Sequence, residues 1–223
     1  MRYLAPVSER QGAPARPDGD YLEELDRLIA AHDPAKQDRV TPAIAAGTAP
    51  REVVRRVALE SYHAGRWLAP EVALLIANAP DAYAFTIEQT RHYRHWAESL
   101  AALCGFSEGP GELRRRLERC RELGLTDADV RDYAPIPETI AAVFTTLYYI
   151  RRSYEEGVAA LGYAGVRLGA ADADAAAARR QAAELLRLAG LAPAARERCR
   201  EAIRNVLLVA ETQVHAMNRW LDG

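Results

Sequence analysis

From Tyr21 to Leu221 apolar residues recur every three to four positions, the spacing of a helix that buries one stripe of its surface. Pro and Gly breaks divide the pattern into amphipathic windows at 20–32, 50–78, 82–104, 110–122, 137–162, 170–189 and 193–221. No segment alternates apolar and polar residues as a half-buried strand does. The pattern predicts an all-α chain of about seven to eight helices, packed as one domain over 20–223. The Ala-rich tract 170–178 reads as helix, because alanine is the strongest helix former. Residues 1–19, where Pro14, Pro17 and Gly19 interrupt any period, read as a flexible tail.

At 100° per residue, some polar side chains fall on the apolar stripes, where a buried polar group needs a partner or a function. In the window 50–78 the stripe runs through Val53, Val57, Ala64 and Leu68, with Glu60 inside it and His63 on its edge. In 82–104 it runs through Phe85, Trp96, Leu100 and Leu103; His92 lies close to it, and Glu88 and His95, two turns apart, share its flank. The stripe of 137–162 passes through Ile140, Val143, Leu147, Tyr154, Val158 and Leu161, and Arg151 projects from the same side. The last window buries Ile203, Leu207, Ala210, Val214, Met217 and Leu221, with Glu211 and His215 one turn apart on the border.

Each feature has a structural alternative. Glu60 and Arg151 can form a buried ion pair, His92 can be a satisfied core histidine, and Glu88 with His95 or Glu211 with His215 can be solvent-side pairs. Four helices contributing inward polar groups are more economically explained by a polar pocket inside a helical bundle. Glu60, His63, His92 and Glu211 are then the candidates for proton transfer, and Arg151, Tyr62 and Tyr154 for holding a substrate, the guanidinium by pairing with a carboxylate.

Composition narrows the class. The 223 residues are 49% apolar, sufficient for one core. Twenty-nine basic residues against 31 acidic ones, a net charge of -2, leave no basic surface for nucleic acid. Cys104, Cys120 and Cys199 lie far apart without a CxxC, which speaks against a disulfide framework or zinc cluster and for a reducing cytoplasm. No apolar run suggests a signal peptide or membrane span.

His32-Asp33-Pro34, then 47–54 (Gly-Thr-Ala-Pro-Arg-Glu-Val-Val), Val57-Ala58 through Tyr62-His63, 77–81 (Ala-Asn-Ala-Pro-Asp), Ile136-Pro137 and Arg151-Arg152 resemble, in their order over roughly residues 30–221, pyrroloquinoline-quinone synthase of the haem-oxygenase-like superfamily. Glu88 and His95, followed by Gly105 in Leu-Cys-Gly-Phe, are similar to the first metal-ligand helix of the haem-oxygenase-like diiron oxidases. Departures accompany both likenesses. Leu208, Thr212 and His215 stand at the three final-helix ligand positions, Gly165 at the middle Glu position, Ala210 at a lysine, His63 at a tyrosine and Glu60 at an arginine, and no nucleophilic Cys marks thiaminase II.

The resemblance implies an oxidase or oxygenase that acts on a small anionic or amino-acid-derived molecule in a specialised biosynthetic pathway and uses dioxygen. In a metal form, Glu88, His95 and His215 would hold iron as two histidines and a carboxylate. In a metal-free form, Glu60, His63 and His92 would move protons while Arg151 holds the substrate. The alternative is a non-catalytic ligand-binding or accessory relative. A homodimer is also implied, with Tyr148 and Tyr149 as apolar positions beyond one stripe.

Overall fold

A computed structural model describes residues 19–77, 110–152, 154–169 and 192–223, together with helical positions 176, 179, 180, 182–184, 186 and 187. Among these there are no strands, and the chain is all-α. The described α-helices are α1 (Gly19–Ala31), α2 (Val40–Ala45), α3 (Arg51–Ala77), α4 (Pro110–Glu122), α5 (Asp127–Asp132), α6 (Pro137–Arg152), α7 (Tyr154–Gly169) and α8 (Pro193–Asn218).

Local chemistry sets the boundaries. Asp33 caps a short 3-10 turn, Pro34–Lys36, by accepting from the Ala35 N–H at 3.0 Å, and Asp38 does the same for Val40 and Thr41 at the start of α2. Gly124, at φ 78°, adopts the left-handed conformation that releases α4, and its N–H closes on the Arg121 carbonyl at 2.9 Å. Thr126 and Asp129 then cap each other's backbone to open α5. Proline at the first turn opens α6 and α8, where its missing N–H costs nothing.

Helix α8 is the central strut, packed against α6, α7 and α1, while α3 packs on α4 and α6. The larger core joins Tyr21, Leu25 and Ile29 of α1 to Ala159, Ala160 and Ala164 of α7 and to Cys199, Ala202, Ile203 and Leu207 of α8. Ala182 and Leu186 close it. Burying a leucine or isoleucine here contributes about 1.5–3 kcal/mol each. A smaller core of Leu59, Cys120, Leu125 and Val130 lies where α3, α4 and α5 meet.

The expected windows at 20–32, 50–78, 110–122 and 193–221 agree closely with α1, α3, α4 and α8. The window 137–162 covers α6 and the first part of a second helix, α7. Helices α2 and α5, six residues each, are too short to show periodicity. On α8, Ile203 and Leu207 are buried as expected, whereas Ala210, Val214, Met217 and Leu221 are only half-buried. The tail before Gly19 and the window 82–104 lie outside the described residues. Cys120 and Cys199 are buried and form no disulfide, and burial pushes the Cys120 thiol up. Among the described residues, no helix is long and apolar enough to cross a membrane.

One ion pair ties α1 to α8. Arg200 Nε and Nη2 donate to the two Glu24 oxygens at 2.7 and 2.8 Å, a fork-to-fork contact. The Arg200 hydrogen bonds hold the Glu24 carboxyl below its ordinary 4.5. A depressed folded value means stability that is full above the unfolded value and is lost as the pH falls through the folded one. Glu24→Gln should therefore melt below the wild type at pH 7, with the gap closing as the pH drops below about 4.5 and narrowing in high salt. Melting curves at pH 7 and pH 3 measure this, and a gap of equal size at both would refute it.

Candidate functional site

Positions 53, 60 and 63 of α3 lie within one helix face, and the structure buries all three. Glu60 is 3% exposed and His63 4%. The chain running from α5 into α6 crosses over them. Tyr133 Oη and the Ile136 N–H both donate to Glu60 Oε1 at 2.7 Å, and Thr139 Oγ1 donates to Oε2 at 2.6 Å. Gln213 of α8 donates to Thr139 Oγ1 at 2.8 Å, which extends the chain of hydrogen bonds across the bundle. Ile136 can donate because it precedes Pro137 and lies outside any helix, so its N–H has no helical partner to serve.

Both Glu60 oxygens are thus engaged, and its burial is accounted for without the ion pair to Arg151. Donation to Glu60 has its counterpart on Tyr133: burial first, then this hydrogen bond and the nearby charge, push the phenol well above its usual range.

His63 Nε2 lies 2.8 Å from the Val130 carbonyl oxygen. A carbonyl can only accept, so Nε2 carries the proton, and in the neutral ring Nδ1 keeps the lone pair. The Tyr62 ring meets the imidazole edge-on at 5.3 Å between centroids, and Tyr133 lies at 5.7 Å on another side.

Two clefts flank this cluster. One, of about 560 Å³, is lined by Glu52, Arg55, Arg56, Asp129, Tyr133 and Trp220 among others. Its charges serve one another: Glu52 pairs with Arg55 and Arg56 at 3.4 and 3.5 Å, Asp129 caps Thr126, and Arg56 lies over the Trp220 ring at 5.9 Å. The other, of about 310 Å³, lies on the Tyr62 and Val130 side.

The structure therefore brings together Glu60, His63 and Tyr62 of the residues expected from sequence. Glu211 is half-buried on α8 and accepts from Gln37 Nε2 at 3.3 Å. Side chains two positions apart on a helix diverge by about 200°, and it is Gln213 that enters the Glu60 network. His215 is exposed. Glu88, His92 and His95 lie outside the described residues; Arg151 and Tyr154 belong to α6 and α7, with side chains outside them. Among the described residues no three His, Cys, Asp or Glu side chains gather as an ion would require, and two of the three expected iron ligands, Glu88 and His95, lie outside them.

Sequence reasoning missed Tyr133, Thr139 and Gln213. The one available signal was the pair Ile136-Pro137, which frees a backbone donor just where α6 begins. No protein-family model matches this chain, and no curated protein matches it.

Proposed function

We propose that this chain is an oxidase or oxygenase acting on a small anionic or amino-acid-derived molecule in the cytoplasm, built on a haem-oxygenase-like bundle, with His63 as its proton-handling group. The observation that supports this reading is the setting of the imidazole: buried, held in one tautomer by the Val130 carbonyl, and flanked by two tyrosines. A fixed Nδ1 lone pair is suited to accept the proton that a substrate releases as it is oxidised and dioxygen is reduced. Glu60, with three donors on it, is a positioning residue that anchors Tyr133 beside His63.

Arg151, Tyr154 and His92 complete the substrate side in this reading. Iron held by Glu88, His95 and His215 is its metal form, and a homodimer through the exposed Phe144 of α6 and Leu208 of α8 belongs to it too. Oxygen uptake with a panel of amino acids and aromatic acids tests it. His63→Ala should lower the rate about 100-fold or more while the protein stays folded. Uptake that is absent in the wild type, or unchanged in His63→Ala, removes the reading. Iron added anaerobically that binds no tighter to the native protein than to His95→Ala removes the metal form alone.

The second reading, a ligand-binding or accessory protein without catalysis, is favoured by the engagement of both Glu60 oxygens, which leaves that candidate base bound into the scaffold. It expects ligand binding with no oxygen uptake under any of these conditions.

A further inference from the structure

The smaller cleft, between α3, α4 and α5, carries an imbalance that the larger one lacks. Three guanidiniums line it, from Arg66, Arg121 and Arg131, against the carboxylates of Asp127 in the wall and Asp132 beside Arg131, which leaves one positive charge in excess. Arg121 spends Nε and Nη2 on a single Asp127 oxygen at 3.3 and 3.0 Å. Arg131 spends the same two nitrogens on its neighbour Asp132 at 2.9 and 3.4 Å. The side-on geometry leaves Nη1 of each without an acceptor among the described residues. Arg66, exposed on α3, makes no ion pair among them, so its whole planar fork is uncommitted. The remaining wall is apolar or aromatic: Leu117 of α4, Val130 of α5 and the Tyr62 ring.

We propose that this groove binds a small organic oxyanion, a phosphate or carboxylate head group held by Arg66 together with the free Nη1 donors of Arg121 and Arg131, its apolar body laid on Leu117, Val130 and Tyr62. The physical reason is complementarity. A guanidinium fork matches the spacing of two anionic oxygens, and uncompensated positive charge in a concave surface strengthens attraction for an anion over that on an open face. About 310 Å³ is at the lower end of small-molecule pockets and accommodates a single ring with its head group. Val130, whose carbonyl holds His63, forms part of the wall, so a ligand seated here lies against the backbone that fixes the imidazole. The inference names the anionic end of the molecule expected above but does not rest on oxygen chemistry.

The test is calorimetric titration of the full chain with phenyl phosphate, benzoate and benzyl alcohol. We expect saturable binding of at least one of the two oxyanions, none of the alcohol, and affinity that falls with added salt; the tighter oxyanion identifies the head group. Arg66→Gln should weaken binding about tenfold or more, and Arg66→Lys, which keeps the charge but not the fork, should recover part of it. Because Arg66 is exposed and unpaired among the described residues, both variants should melt with the wild type. Equal binding by wild type and Arg66→Gln, or saturable binding of the alcohol alone, overturns the proposal, as does the absence of any binding. None of these readouts depends on oxygen uptake, so the site and the proposed activity fail separately.

Discussion

Glu60→Ala should lower the unfolding free energy by roughly 3–5 kcal/mol and the melting temperature by about 6–20 °C. The substitution removes no large apolar volume, so the effect lies in what it abandons. Tyr133 Oη, the Ile136 N–H and Thr139 Oγ1 all lose their acceptor, the last in a fully buried side chain and the first two at the part-buried edge of the larger cleft. A buried donor left alone costs about 1–3 kcal/mol. Glu60→Gln should cost roughly half as much. Its carbonyl oxygen can still serve the two donors now on Oε1, while its amide meets Thr139, whose hydroxyl can turn to accept. Urea unfolding at pH 7 measures both. A loss below about 1 kcal/mol for Glu60→Ala would show that water or a shifted neighbour satisfies the three donors.

The second large effect is expected at Asn218→Ala. This side chain, 9% exposed at the end of α8, donates to the Gln37 carbonyl at 2.7 Å and accepts from the Arg39 N–H at 3.0 Å. It stitches the loop before α2 to the last turn of the chain. Alanine removes both bonds and strands two backbone groups, for a loss of about 2–3 kcal/mol. The neighbouring contact between Arg39 and Asp222 is bidentate, at 2.8 and 3.1 Å, yet both side chains are more than half exposed. An exposed pair gains little over its hydration, so Asp222→Ala should cost far less than Asn218→Ala. Equal losses from the two would mean that the loop is held by its charges and not by the amide.

The helices were readable because amphipathic periodicity is a property of a local window. Tyr21, Leu25 and Ile29 announce α1, and the capping pair Thr126 and Asp129 would have announced α5 to a reader looking for caps in place of stripes. The same rule placed Glu60 inside the stripe of α3 and His63 on its edge, and both are buried. What could not be read was their company. Thr139 and Gln213 look like ordinary helix polar residues, and their meaning comes from α6 arriving beside α3 and α8 beside α6. The pairing of Glu60 with Arg151 was the nearest sequence-level guess, because an acid suggests a base; among the described residues three uncharged donors serve Glu60, and the Arg151 side chain lies outside them.

The Glu60 network also joins parts of the chain that emerge from the ribosome at very different times. Its donors are 73, 76 and 79 residues downstream, and Gln213 follows 74 residues after Thr139. Local helices can form in microseconds, but this knot must await closure of long loops, whose entropy is lost before any hydrogen bond rewards it. Without α6 packed on α3, a charged Glu60 has none of these donors, and burying it unpaired is costly. Glu60 gains its three donors only when the segment 133–139 packs on α3, and Gln213 joins them through Thr139 once α8 packs on α6.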